Sequence, residues 1–312
     1  MAKISVVGSI NIDLVIRTEK KPEIGETVLG NSFRMYPGGK GANQAITIAR
    51  LGGAVQMFGC VGDDPNAEPM KDNLQTNGVI IDNIKKISGV STGTAVITLV
   101  DGDNFIIVDK GANQFVDRTY IDTVLPNLLS SEYVLMQNEI PIDTVEYVAK
   151  LCSNNSIPVV INPAPYVKMK QRIFEYVNYF TPNEQEAFLM FGPYDNLEDL
   201  LFDYPGKVIV TLGERGVAYS NGKKIVSVPV VDKVKVVDTT GAGDVFSGAL
   251  VKFLCDGFHL KDAVEMAQRA SSFSVEKYGA QEGMLTLEEF QRRISVKQSR
   301  TKNLYNNEDL HS

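Results

Sequence analysis

The sequence predicts an α/β protein of three layers, a mostly parallel sheet with helices on both faces, and a small second sheet standing off as a lid. Three observations predict it. From residue 54 onward, short apolar strands alternate with helical segments, which is how a covered parallel sheet is written in sequence. Two pairs of strands, within residues 13–37 and 93–110, have no helix between them and are expected to pair as antiparallel neighbours. Two glycine-rich turns run straight into helices, where unpaired N–H groups and the helix dipole favour an anion.

Composition narrows the function classes. The chain has 312 residues, 44% of them hydrophobic and 22% charged, enough to bury a large core without disulfides or metals. A net charge of −7 argues against a nucleic-acid or anionic-membrane binder, while leaving room for a local phosphate pocket. Cys60, Cys152 and Cys255 form no CxxC pair, so neither a zinc knuckle nor a redox dithiol is indicated, and all three read as small buried hydrophobes. The N-terminus enters a strand without the apolar run of a signal peptide, and no stretch approaches the roughly 20 apolar residues of a membrane span. A cytoplasmic protein is expected.

Taken in order, residues 4–7 form a buried strand ending at Gly8, followed by Ser9, Asn11 and Asp13, which share one side at strand periodicity. Such a polar row suits a hydroxyl-rich ligand, or else forms an Asx-rich surface turn. Strands at 14–17 and 26–30, joined through Pro22 and Gly25, make the first lid pair. Strands at 93–100 and 104–109, joined through Asp101-Gly102-Asp103, make the second. Between the pairs, Pro37-Gly38-Gly39-Lys40-Gly41-Ala42-Asn43-Gln44-Ala45 opens a helix. The P-loop spacing is absent, so the three glycines fit a sugar held against the backbone.

Strands are then expected at 55–60, 133–137, 158–161, 179–180 and 207–212, with helices at 67–77, 117–128, 142–154, 167–176 and 183–190. The polar clusters Asn138-Glu139, Asn162, Thr181 to Glu186, and Gly213 to Gly216 all follow strand ends. In such folds that edge holds the ligand. Last comes Asp238-Thr239-Thr240-Gly241-Ala242-Gly243-Asp244, a glycine turn into a helix apolar almost all round. Asp244 stands at that helix start, as a cap or as a base beside an anion site. The segment 1–295 is read as one domain, and the polar tail 296–312 as disordered.

Together, Gly38 to Ala45 and Asp238 to Asp244 closely resemble the two motifs of the ribokinase family of carbohydrate kinases, and the resemblance covers residues 3 to about 290. It implies a ribokinase-like fold and ATP-dependent phosphorylation of D-ribose at O5. A sister activity on deoxyribose, fructose or adenosine is the alternative. Asp244 would be the general base, with the N–H groups of Gly241, Ala242 and Gly243 as anion hole. Asn11, Asp13, Gly39, Lys40, Asn43 and Glu139 would hold the sugar. Asn183, Thr211, Gly213, Gly216 and Gly243 would bind ATP. Asn183 and Glu186 would organise Mg²⁺ through water. Asp238, Thr240, Ser274, Lys277, Gly279 and Gly283 would form a site for K⁺ or a similar monovalent cation. Glu282-Gly283 departs from the Pro-Ser-like pair expected there. The resemblance also implies a homodimer joined through the lids, and Val15, Val28 and Phe33 are the apolar residues expected on their outer face.

Overall fold

The computed structural model describes residues 3–100, 103–231 and 234–295. The tail 296–312 and residues 101–102 of the second lid turn lie outside the described residues. In chain order the strands are β1 (Ile4–Val7), β2 (Asn11–Thr18), β3 (Gly30–Gly38), β4 (Val55–Val61), β5 (Ile84–Lys86), β6 (Gly93–Val100), β7 (Asp103–Asp109), β8 (Tyr133–Gln137), β9 (Val159–Asn162), β10 (Tyr179–Phe180), β11 (Ile209–Thr211), β12 (Val217–Ser220) and β13 (Ile225–Val228). The α-helices are α1 (Lys40–Arg50), α2 (Ala67–Thr76), α3 (Arg118–Leu129), α4 (Ile142–Asn154), α5 (Ile173–Tyr176), α6 (Glu184–Phe191), α7 (Leu197–Asp203), α8 (Ala242–Cys255) and α9 (Leu260–Ser274).

Six strands in the order β10-β9-β8-β1-β4-β5 pair in parallel throughout. A parallel bridge from Phe180 to Val208 carries the sheet on to β11, and β11, β12 and β13 follow as an antiparallel extension. Because strand side chains alternate, Val6 enters the core beneath α1, α8 and α9, and Val7 enters the opposite core beneath α3 and α4. Burial on both faces explains why these strands are unbroken apolar runs. All seven residues of β4 are buried.

The lid is a separate four-stranded sheet in the order β3-β2-β6-β7. Both expected pairs are antiparallel, and β2 and β6 join them in parallel. Three expectations need correction. The second lid strand is β3, not residues 26–30: the Glu26 carboxylate folds back to accept from the Glu23 N–H at 3.1 Å, which closes residues 23–26 into a turn. Of residues 167–176 only α5 is helical. The Lys170 N–H is captured by Glu146 of α4 at 2.7 Å, which draws the preceding chain along α4 instead. Val15 and Phe33 occupy opposite faces of the lid, since Val15 pairs with Arg34 while Phe33 pairs with Ile16, and Val28 lies outside the strands. The β12–β13 hairpin, α7 and α9 were not read from the sequence, although Asn221-Gly222 between β12 and β13 is a hairpin signal.

One helix contact positions the site. A Cβ at Gly248 of α8 would lie 2.8 Å from the carbonyl oxygen of Gln44 in α1. Glycine there lets the two helices approach backbone to backbone, and so brings the start of α1 beside the start of α8.

Candidate active site

The residues expected to hold the sugar gather where β1 and β8 end and β2 begins. The glycine turn before α1 lies flat against this edge. Gly39 has φ +91°, and a Cβ on it would sit 2.7 Å from the Asn11 N–H nitrogen. A Cβ on Gly41 would sit 2.6 Å from the Ser9 nitrogen. The glycines therefore answer a close backbone approach. Glu139, just past β8, accepts hydrogen bonds from the Ser9 hydroxyl and, at 3.0 Å, from the Lys40 N–H. Asn11 is 2% exposed, and its Oδ1 accepts from Asn113 Nδ2 at 2.7 Å. Asn113 also pins the Ile10 N–H at 2.9 Å.

The charges here are mutually dependent. Burial pushes the Asp13 carboxyl up to about 7, with the negative charges of Glu139 and Asp244 adding to it and Lys40 opposing. The Lys40 ammonium is pushed up, chiefly by Asp244, against its own burial, with Glu139, Glu186 and Asp13 contributing. Burial likewise raises Glu186. One lysine thus faces four carboxylates from four parts of the chain.

Asp244 sits in the first turn of α8 and is only 5% exposed. Its side chain accepts from no backbone N–H among the described residues. It instead accepts from Asn43 Nδ2 on one oxygen and from Gln44 Nε2 on the other, both at 3.0 Å. The capping hydrogen bond that the sequence left open is therefore not made, while the carboxylate still stands in the first turn of α8. The turn before it has Gly241 in the left-handed region, φ +78°, with Ala280 packed where a Cβ would go. The N–H groups of Gly241, Gly243 and Asp244 have no protein acceptor among the described residues, whereas the Ala242 N–H donates to the Thr239 carbonyl at 3.2 Å. Ala242 is thus not among the open donors expected of it. A Cβ on Gly243 would meet nothing within 4 Å, so the open donors look into free space.

On the phosphate side, Asn183 caps α6 in a reciprocal box with Glu186 and bridges in parallel to Thr211. Gly213 faces open space, while Gly216 is packed against the Val228 carbonyl. Gly216 therefore has a structural reason to be glycine. Nearby, burial raises the Asp238 carboxyl, but hydrogen bonds from the Thr240 hydroxyl and N–H and the Gly279 N–H outweigh it and hold the group below its usual range. A Cβ on Gly283 would collide with the Ser274 carbonyl. The Lys277 side chain is exposed. Among the described residues no cluster of three or more His, Cys, Asp or Glu could hold a metal by itself. A cavity of 430 Å³ separates lid from core, with Asp13, Arg17, Arg34 and Tyr36 on the lid side and Asp238 and Tyr278 on the core side.

The sequence reading missed Asn113, Gln44, Gln137 and Gln281. Each is a buried or half-buried amide, and an isolated amide carries no motif. Gln281 Nε2 donates to Asn43 Oδ1 at 2.9 Å, and Gln137 Nε2 donates to Gln44 Oε1 at 2.5 Å. Asn162 and Thr181, expected at the ligand edge, turn inward instead: Asn162 donates to the Thr181 carbonyl, and the Thr181 and Ser247 hydroxyls pair at 2.8 Å.

Known proteins resemble this chain over nearly its whole length. The profile of the pfkB family carbohydrate kinases matches residues 1–287. A Bacillus subtilis ribokinase is 44% identical over 295 residues, covering 95% of this chain and all of that one. The structure of a Thermotoga maritima ribokinase superposes with a TM-score of 0.86 at 35% identity, covering 95% of this chain and all of that one. That of an Arabidopsis thaliana ribokinase complexed with ribose and ATP does so at 0.85 and 29%, covering 94% and 98%. The chain belongs to the pfkB family of carbohydrate kinases.

Proposed function

We propose that this kinase transfers the γ-phosphoryl group of ATP to O5 of D-ribose, giving D-ribose 5-phosphate, with Asp244 as general base. The observation that carries the chemistry is the buried Asp244 carboxylate beside a turn with three open N–H groups. A primary alcohol is a poor nucleophile, and a carboxylate in reach takes its proton as the new bond forms. Phosphoryl transfer otherwise depends on position and on fixed donors for the developing charge. Gly241, Gly243 and Asp244 N–H supply those donors here. The ribose relatives and the crowded polar edge formed by Asn11, Asp13, Lys40, Asn43 and Glu139 support a small polyhydroxylated acceptor. The lid excludes water, a competing acceptor.

Mg²⁺ bound to ATP supplies charge neutralisation across the phosphates. A site where, among the described residues, no three His, Cys, Asp or Glu converge as ligands fits it, since Mg²⁺ keeps waters and leans on the nucleotide. Asn183 and Glu186 would hold its waters. Asp238 and Thr240, with the backbone near Ser274, Lys277, Gly279 and Gly283, would hold a monovalent cation such as K⁺; the Asp238 carboxylate held below its usual range beside Thr240 supports this. Turnover that is indifferent to replacing K⁺ by a bulky organic cation would remove that assignment. The lid face bearing Phe33, Met35, Val96 and Ile107, all exposed, supports a homodimer through the lids in the cytoplasm. A monomer by light scattering at micromolar concentration overturns the dimer.

The function itself is tested by ATP consumption across ribose, deoxyribose, fructose and adenosine. Ribose is expected to give the highest kcat/KM. Asp244→Asn is expected to lose on the order of 10²–10⁴-fold in kcat. Near-normal turnover in that variant refutes the base.

A further inference from the structure

We infer that Gln137 and Gln44 form an amide relay that aims the Asp244 carboxylate, so that Gln137 is a positioning residue for the transfer although it lies one residue removed from the base. The inference rests on the reading of Asp244 as base. An ionised carboxylate only accepts, so each amide facing it must present its NH₂ group. Gln44 Nε2 donates to Asp244 at 3.0 Å and to Asn162 Oδ1 at 3.2 Å. With its NH₂ so committed, Gln44 turns its oxygen away, and that oxygen accepts from Gln137 Nε2 at 2.5 Å. The polarity of the chain is thereby fixed from Gln137 to Asp244. Both glutamines are fully buried.

The end of β1 shows that the relay is built into the fold. A Cβ on Gly8 would collide with the Gln137 amide, so the glycine leaves room for that side chain. Gln137 Oε1 has no partner among the described residues. A buried amide with an idle acceptor is a poor choice for stability alone. Its one donated bond goes to Gln44. A second relay converges on the other Asp244 oxygen: Asn73 donates to Gln281 at 2.9 Å, Gln281 to Asn43 at 2.9 Å, and Asn43 to Asp244 at 3.0 Å. The terminal torsion of aspartate is broad. One amide on each oxygen holds it in a single orientation.

The test is a double-mutant cycle on Gln137→Met and Gln44→Met, reading kcat, KM for ribose and Tm. Methionine keeps the length of glutamine and removes the hydrogen bond. Gln137→Met is expected to lower kcat roughly tenfold by misaiming the base, with KM for ribose within about twofold. Its Tm should stay within a few degrees of the parent's, since the idle Gln137 acceptor is removed while the Gln44 oxygen loses its donor. Gln44→Met should lose at least as much, and the double variant should be no slower than Gln44→Met. Additive losses, an unchanged kcat in Gln137→Met, or a kcat loss matched by a falling Tm overturns the relay. Gln137→Met carries the test alone where Gln44→Met does not fold. An inactive Asp244→Asn together with a fully active Gln137→Met refutes the relay and keeps the base; an active Asp244→Asn refutes the base.

Discussion

Two glycine turns, each at a helix start, meet at Asp244, and Gly39 and Gly41 of the first are glycine for the opposite reason to Gly243 of the second. Before α1, Cβ atoms on Gly39 and Gly41 would lie 2.7 and 2.6 Å from backbone nitrogens of Asn11 and Ser9. Before α8, a Cβ on Gly243 would meet nothing within 4 Å. The first turn is glycine because protein fills the space; in the second, Gly241 is likewise packed against Ala280, and at Gly243 alone protein leaves the space empty beside open N–H groups. A glycine motif in sequence is thus ambiguous between packing and ligand approach, and only the surroundings separate the two.

The largest expected effect breaks that contrast directly. Gly41→Ala forces a methyl into the Ser9 backbone and is expected to cost about 2–4 kcal/mol of stability, since the clashing atoms are main chain and cannot swing away. Thermal unfolding should fall by about 4–16 °C. Gly243→Ala should behave oppositely. In the first turn of α8, alanine is the better helix former by up to about 1 kcal/mol, so Tm should hold or rise. Its methyl would occupy the space over the open donors, and kcat should fall by about 10²-fold. Full turnover in Gly243→Ala, or an unperturbed Tm in Gly41→Ala, removes the distinction.

The same contrast explains what was legible in the sequence. The parallel core was readable because burial on both faces writes strands such as β4 as plain apolar runs. The lid was readable from missing helices and a hairpin turn, but the start of β3 was not. A side chain, Glu26, closes the turn that precedes it, and no periodicity records that. At the site, residues in motifs were found, and amides that serve other amides were not. Gln44 stands inside a recognised motif and was passed over because its partners, Gln137 and Asp244, lie far along the chain. Ala242 was grouped with the open donors because a motif does not show which N–H groups a turn consumes.

A smaller effect sharpens the crowded side. The turn that packs against β2 also encloses a charge, for a Cβ on Gly38 would collide with the Asp13 carboxylate. Burial, then Glu139 and Asp244, push that carboxyl from 3.8 to about 7. Its folded value thus lies above its unfolded one. Below the unfolded value Asp13 is protonated in both states and has no pH-dependent effect on folding. As pH rises from about 4 to about 7, the unfolded chain releases the proton more readily, and the parent loses stability on account of this group. Asp13→Asn removes the ionisation while keeping the size. Its Tm relative to the parent is therefore expected to climb by a few degrees between pH 4 and 7 and then level off. Above about pH 7, where the folded Asp13 is ionised, KM for ribose should be about 10–100-fold higher in the variant, since a charge-assisted acceptor is lost, and the gap should shrink below it. Differential unfolding at five pH values decides it: a Tm gap that stays constant, or one that narrows as pH rises, shows that Asp13 is not held in the enclosed, carboxylate-faced position that the first glycine turn creates.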